Sequence, residues 1–226
     1  MSNTNYKPNI LIVGDSGDGK STSYESLPQD ESVYVIETEC KALPFLHKFP
    51  NLIHVDTMDE FNAAVAKAKA DVKCKYIVID SISKHLERCL SYCRTTQKGY
   101  DIWNLYGRLG QKLMNDLHSR TQIIIATSLA ELVETETNET GVVQKFYKRM
   151  AATNMGTELR GKFDKEFTIV LHTKLTRDAM GKMTFNFLVK PDGLTTAKTP
   201  KSMFPGKTLV QNDIMLVLNE LAKVGQ

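Results

Sequence analysis

Residues 9–21, which read NILIVGDSGDGKS, decide the fold of this chain. A short apolar run leads into the spacing G-x-x-x-x-G-K-S, which begins at Gly14 and ends at Ser21. Glycines let a backbone curl so that successive N–H groups point at phosphate oxygens. The pattern therefore predicts a phosphate-binding loop between a strand and a helix. The residues expected to form it are Gly14, Asp15, Ser16, Gly17, Asp18, Gly19, Lys20, Ser21 and Thr22.

Two side chains of this loop carry its chemistry. In such a loop the lysine, here Lys20, reaches the β- and γ-phosphates, and the hydroxyl of Ser21 ligates Mg²⁺. A short helix is predicted over residues 21–27, because Pro28 ends it, and its positive end would attract phosphate. A Gly-rich turn without a ligand is the alternative, but the strand in front of the motif argues against it.

A second expected metal ligand closes another buried strand. Residues 76–79 (YIVI) are apolar and are followed by Asp80. Ligands of open α/β sheets bind at the carboxyl ends of the strands, so Asp80 is predicted to hold Mg²⁺ through its water shell. A helix cap is its alternative role. Ser81 follows, and not a glutamate, so a base that activates water must come from elsewhere in the chain.

A neighbouring strand offers that base. Residues 32–36 are β-branched and aromatic, and the segment ends in Glu37, Thr38 and Glu39. Glu39 is the favoured catalytic residue at this edge of the sheet, with Glu37 second. The alternative is that both are ordinary solvated carboxylates.

The apolar pattern predicts an α/β fold. Strands without polar alternation are buried on both faces, and here they alternate with helices, so we expect a mostly parallel sheet flanked by helices. Beyond residue 129 the pattern changes to a hairpin (132–137 and 142–147) and further antiparallel strands. We predict a single domain with a core over 9–128, a hairpin insertion over about 129–155, and C-terminal strands and a helix over 156–226.

Composition excludes few functions. A net charge of +3 permits nucleic-acid binding without requiring it. No apolar run approaches the roughly 18 residues that span a membrane, so no membrane partner is expected. The four scattered cysteines indicate reduced thiols, and the polar N-terminus lacks a signal-peptide pattern, so a cytoplasmic location is expected.

Several segments resemble a known family. Residues 35–44 (VIETECKALP), 51–83 (ending in YIVIDSIS) and 121–128 (TQIIIATS) resemble the core of RecA/RadA-like recombinase ATPases. Residues 159–171 and 187–204 more weakly resemble short phage-encoded AAA-type ATPases that are linked to single-strand annealing. The resemblance implies a RecA-like fold, ATP and Mg²⁺ as cofactors, and DNA-stimulated ATP hydrolysis in phage-type recombination or replication. It also implies the cytoplasm of a host cell as the location.

The resemblance also assigns roles to individual residues. It implies that Glu39 is the catalytic base, that Asp80 is the magnesium-side aspartate, and that Thr127 or Ser128 senses the γ-phosphate. A homo-oligomer, as a ring or short filament, is expected, with a single-strand-binding protein as a further partner. Cations from a neighbouring subunit often complete such sites, and the candidates in trans are Lys198 and Lys201.

Two segments are candidates for contact with single-stranded DNA. Cations track phosphates and aromatic rings stack on bases, and both residue types occur together in the second segment. The opposite arm of the predicted hairpin is rich in glutamate, so a hairpin that stabilises itself by charge is the alternative. The candidates are Arg94, Lys98, Lys145, Phe146, Tyr147, Lys148 and Arg149.

Two other functions stay open at this point. A small-molecule or nucleotide kinase shares the phosphate loop, although the arginines that would form its lid are scattered here. A nucleotide-regulated interaction protein with little turnover is the third possibility.

Overall fold

The computed structural model describes residues 6–46, 48–119, 121–139, 142–153, 163–177 and 180–224, with the backbone alone for 135–139 and 142–146. The strands are β1 (Ile10–Gly14), β2 (Val33–Glu37), β3 (Asn51–His54), β4 (Tyr76–Asp80), β5 (Ile123–Glu139), β6 (Val142–Ala151), β7 (Ile169–Arg177), β8 (Met183–Leu188) and β9 (Leu209–Gln211). The helices are α1 (Met58–Ala70), α2 (Ile82–Thr96), α3 (Asp101–Asp116) and α4 (Ile214–Val224).

One mixed sheet organises the chain in the order β3-β2-β4-β5-β1-β7-β8-β9. The pairs from β3 to β7 are parallel, and β8 continues the sheet antiparallel to β7 and β9. The predicted fold class, a mostly parallel sheet with helices and C-terminal antiparallel strands, is confirmed. Every residue of β1 is buried, which explains why its sequence shows no polar alternation.

The sheet separates two apolar layers. Successive residues of a strand point to opposite faces. Leu11 accordingly packs in the same cluster as Phe61 of α1, whereas Ile12 packs with Tyr24 and with Ile214 of α4. Burial on both faces fixes the strand register and so fixes the position of the loop after β1.

Strand β5 extends well beyond the core. Its first residues pair with β4 and β1, and residues 130–139 pair antiparallel with β6. We call residues 130–139 and β6 together the arm. The predicted hairpin is confirmed and is longer than the predicted strands, while the turn residues 140–141 lie outside the described residues.

The predicted helix over residues 21–27 is wrong. A single 3₁₀ turn, Thr22–Tyr24, takes its place. Serine, threonine and tyrosine are weak helix formers, and Pro28 leaves no room for a second turn. Tyr24 is fully buried, so packing of its side chain adds to the short-range turn hydrogen bonds that hold this segment.

Within the described residues, each helix is too short or too polar to cross a lipid bilayer.

Candidate active site

An open cavity of about 620 Å³ lies at the carboxyl edge of the sheet. It is bounded by the loop after β1, the residues that follow β2 and the end of β4, as expected for an α/β fold. Its lining residues are Ser16, Gly17, Gly19, Lys20, Ser21, Thr22, Glu37, Glu39, Lys41, Ala42, Leu43, Pro44, Asp80, Lys84, Glu87, Leu129 and Phe185. Six of the nine predicted loop residues therefore face one space with Glu39 and Asp80.

Glycine is required at three positions of the loop. Gly17 and Gly19 have φ angles of +85° and +81°, which are rare for residues with a side chain. A Cβ atom at Gly14 would lie 1.8 Å from the Thr173 hydroxyl oxygen, and one at Gly19 would lie 2.7 Å from the Phe185 ring. No heavy atom lies within 4 Å of a Cβ atom added at Gly17, so the loop backbone there faces open space.

Lys20 folds back over its own loop. Its Nζ atom donates a 2.7 Å hydrogen bond to the carbonyl oxygen of Asp15. Burial lowers the pKa of Lys20, and the negative charges of Asp80 and Glu39 partly oppose that shift. The ammonium group therefore lies near carboxylates at the cavity. A phosphate there would be a stronger hydrogen-bond partner for it than the neutral carbonyl oxygen of Asp15.

Asp80 is held by two hydroxyl groups. Tyr24 donates a 2.6 Å hydrogen bond to one carboxylate oxygen, and Thr127 donates to the other. Burial, followed by the charge of Asp80, raises the pKa of Tyr24, so the phenol stays protonated and keeps donating. Thr127, predicted to sense phosphate, is thus brought to the site as a direct partner of Asp80.

The donor set suits Mg²⁺ bound together with a nucleotide. Among the described residues there is no group of three or more His, Cys, Asp or Glu side chains arranged to hold a metal ion. Mg²⁺ commonly binds through one or two carboxylates together with substrate phosphates and water. Asp80 and the hydroxyl of Ser21, which line the same cavity, match that requirement.

Glu39 is oriented by two donors. The Ser81 hydroxyl donates a 2.9 Å hydrogen bond to one carboxylate oxygen, and Lys41 Nζ lies 2.8 Å from the other. Burial by itself would raise the pKa of Glu39, but the hydrogen bonds from Lys41 and Ser81 and the charges of Lys41 and Lys20 hold that pKa below its ordinary value. Glu39 is therefore an ionised carboxylate at the cavity wall, as a general base requires.

Glu37, the second choice for the base, is engaged elsewhere. One oxygen accepts a 2.7 Å hydrogen bond from the backbone N–H of Glu39, and the other lies 3.0 Å from Nδ1 of His54. Glu37 therefore supports the turn that presents Glu39.

Arg149 was expected to contact DNA, and the structure places it at the phosphate loop. Its guanidinium lies 2.8 Å from an Asp15 carboxylate oxygen and 3.2 Å from one of Asp18. In this structure the cation of Arg149 therefore pairs with two carboxylates of the phosphate loop. Asp15 and Asp18 in turn face Arg149 and are absent from the cavity lining.

The remaining predicted residues lie apart from this cavity. Ser128 is fully buried and donates to the carbonyl oxygen of Leu129, so the alternation of β5 leaves Thr127 alone of that pair at the site. Lys198 donates to the carbonyl oxygen of Lys165, and burial lowers its pKa. Residues placed elsewhere on the surface are Arg94, Lys98, Tyr147, Lys148 and Lys201; the side chains of Lys145 and Phe146 lie outside the described residues.

Comparison with known proteins identifies the family. A family model described as AAA domain matches residues 6–208. The chain belongs to the AAA domain family. This AAA domain is 14% identical to flagellar accessory protein FlaH from Methanocaldococcus jannaschii, with a TM-score of 0.41 over 85% of this chain and 82% of that chain. No curated protein sequence matches this AAA domain.

Three residues of the site in this AAA domain escaped prediction from sequence. Tyr24 reaches Asp80 from 56 positions away in the chain, and Asn212 donates a 3.0 Å hydrogen bond to the carbonyl oxygen of Gly19 from 193 positions away. Phe185 of β8 packs beside Gly19. No local motif marks these residues, because tertiary packing brings them together from distant parts of the chain.

Proposed function

We propose that this AAA domain binds ATP with Mg²⁺ and hydrolyses it, and that it uses the ATPase cycle to act on single-stranded DNA. The observation that carries the proposal is the convergence of Lys20, Asp80 and Glu39 on one open cavity. A phosphate-binding cation, a metal-side carboxylate and an ionised base are the three groups that hydrolysis of a nucleoside triphosphate needs.

Each group has a defined part in the proposed reaction. The loop backbone and Lys20 bind the β- and γ-phosphates, which Mg²⁺, held by Ser21 and Asp80, would help to neutralise. Glu39 orients a water molecule for attack and takes up its proton. Thr127 holds the Asp80 carboxylate in place through their hydrogen bond and so links strand β5 to the reacting end of the nucleotide.

The arm supports the proposed contact with single-stranded DNA. Tyr147 of β6 is 61% exposed, and Lys148 follows it. An exposed ring can stack on a base of a single strand, and Lys148, which projects from the opposite face of β6, adds positive charge to the arm. We further propose that the chain assembles with copies of itself, so that a cation such as Lys198 or Lys201 completes a neighbouring site, and that a single-strand-binding protein is a partner.

The test is the ATPase rate measured with and without single-stranded DNA, with the mass in solution determined in both states. We expect hydrolysis that needs Mg²⁺, is stimulated by DNA and is lost in Lys20→Ala, which removes the cation from the cavity. Hydrolysis that Lys20→Ala leaves intact would contradict the assignment of the site. Phosphate transfer to a nucleoside monophosphate without DNA would instead favour a kinase.

A further inference from the structure

The contact between Arg149 and the phosphate loop changes the charge of the loop. Residues 14–22 contain two aspartates and one lysine, so the loop carries a net charge of −1 at the place where a polyphosphate is to bind. Like charges repel more strongly in a partly buried site than in water. A further cation beside the two aspartates would reduce this repulsion.

Arg149 supplies that cation from a different element. Its guanidinium bridges Asp15 and Asp18, which lie in the loop after β1, while its own backbone belongs to β6 at the base of the arm. Both contacts are made by the same guanidinium nitrogen, Nη2, which lies between the two carboxylates. The loop and Arg149 together carry no net charge.

Both partners are held in position by other contacts. The Arg149 backbone N–H donates a 2.8 Å hydrogen bond to the carbonyl oxygen of Leu194. The Asp18 carboxylate also accepts from the Asp15 backbone N–H at 3.2 Å and from the Thr173 hydroxyl at 3.4 Å. The ion pair therefore joins two ordered segments, and the side chains are placed by the fold.

We propose that Arg149 is a positioning residue for nucleotide binding: it neutralises Asp15 and Asp18, turns their charge away from the phosphates and links the arm to the phosphate loop. This inference rests on the proposed function, because it assumes that the cavity takes a nucleoside triphosphate. It assigns to Arg149 no contact with the phosphates themselves.

The charge argument predicts opposite effects for the two sides of the ion pair. Arg149→Ala leaves two uncompensated carboxylates beside the phosphates, so the affinity for mant-ATP should fall about tenfold or more. In Arg149→Lys the positive charge stays but the planar guanidinium is lost, so the affinity for mant-ATP should fall less. The double variant D15N/D18N keeps acceptor oxygens for the loop hydrogen bonds but removes both negative charges, so it should bind several-fold more tightly than the wild type.

The decisive measurement is the affinity of the triple variant R149A/D15N/D18N for mant-ATP, with a thermal unfolding curve for every variant. We expect it to return to within about threefold of the wild type, because the repulsion is gone. Arg108→Ala, which removes an exposed arginine of α3, is the matched control and should leave the affinity unchanged.

Three outcomes would overturn the inference. A triple variant that binds as weakly as Arg149→Ala would show that Arg149 acts directly on the nucleotide or only supports the fold. D15N/D18N binding as weakly as Arg149→Ala would show that the ion pair matters only as a structural tie. An unchanged affinity of Arg149→Ala for mant-ATP would show that Arg149 has no part in nucleotide binding. Failure of the proposed function is a separate result, because the wild type itself would then fail to bind mant-ATP.

Discussion

Ser81 donates its hydroxyl to the Glu39 carboxylate at 2.9 Å, and this bond joins the ends of strands β2 and β4. A second link reinforces it, since the Ser81 backbone N–H donates to Thr38 Oγ1 at 2.9 Å and Thr38 Oγ1 donates to the Ser81 carbonyl oxygen at 2.8 Å. The candidate base is therefore held by the strand that carries Asp80. Substitutions at this edge should separate catalysis from binding.

Glu39→Gln should abolish hydrolysis while ATP binding is retained. Glutamine keeps the size of the side chain and an acceptor for the Ser81 hydroxyl, but it cannot take up a proton. We expect the hydrolysis rate to fall about 100-fold or more, in keeping with the usual contribution of a general base, with the ATP affinity within a few-fold of the wild type. Single-turnover hydrolysis and equilibrium binding measure the two quantities. Glu37→Gln is the matched control, and a greater loss of rate there would transfer the catalytic role to Glu37.

The pH dependence of hydrolysis should depend on Lys41. Because the pKa of Glu39 is lowered in the folded protein, the carboxylate stays ionised, and hydrolysis should persist, below the ordinary titration range of a glutamate. Lys41→Ala removes a hydrogen bond and a positive charge that favour the ionised form, so the acid limb of the pH–rate profile should move to higher pH. A limb that stays in place would show that a group other than Glu39 controls it.

Tyr24→Phe should destabilise the protein and weaken Mg²⁺-dependent binding. The substitution keeps the buried ring but removes the 2.6 Å hydrogen bond to Asp80. Hydrogen bonds to charged groups contribute about 1.5–3 kcal/mol, so the free energy of unfolding should fall by an amount of that order. Chemical denaturation without ligand measures it. Tyr106→Phe, which removes the hydroxyl of another buried tyrosine from a carbonyl partner, is the comparison and should cost less; an equal loss would count against a special role for Asp80.

Stability should fall in mild acid because of His85. Burial, followed by the charge of Arg88, lowers the pKa of His85 from 6.5 to about 4, and its ring stacks on Phe61 with centroids 3.7 Å apart. Between these two pKa values His85 is therefore protonated in the unfolded chain and neutral in the folded chain. The neutral ring gives its full stability above about pH 6.5, and this is lost as the pH falls towards 4, by roughly 3 kcal/mol at most. Unfolding free energies of His85→Phe should vary less across this window; parallel curves for wild type and variant would contradict the assignment.

Substitutions on the arm should weaken binding to single-stranded DNA. Arg149 is left unchanged, because it belongs to the phosphate loop contact, and the tested variant is K145E/Y147A/K148E. We expect weaker binding and a shallower dependence of affinity on salt, since fewer counterions are released. Fluorescence anisotropy with a labelled oligonucleotide at several salt concentrations measures both. R94E/K98E tests the other candidate surface, and a loss of binding confined to that variant would move the DNA contact away from the arm.

The sequence predicts the parts of this protein that local patterns control. The loop glycines, the apolar strands and the carboxylates at strand ends all lie where their motifs place them, because strand burial and parallel pairing bring such ends to one edge. The prediction of a short helix after the loop was wrong, because the helix propensity of this segment is weak and burial of Tyr24 determines its conformation. The contact of Arg149 with Asp18 joins residues 131 positions apart and depends on how β6 pairs with β5, which local patterns do not encode.

Strand β5 is one continuous strand from the interior of the sheet to the far part of the arm. Ten residues beyond the core, at about 3.3 Å each, extend roughly 33 Å from a point near Thr127, the partner of Asp80. A tilt of about 5° at that point would carry the far end through roughly 3 Å. If hydrolysis tilts the strand by this amount, the far end of the arm would move much further than the sheet edge does. That displacement is comparable to the spacing between stacked bases.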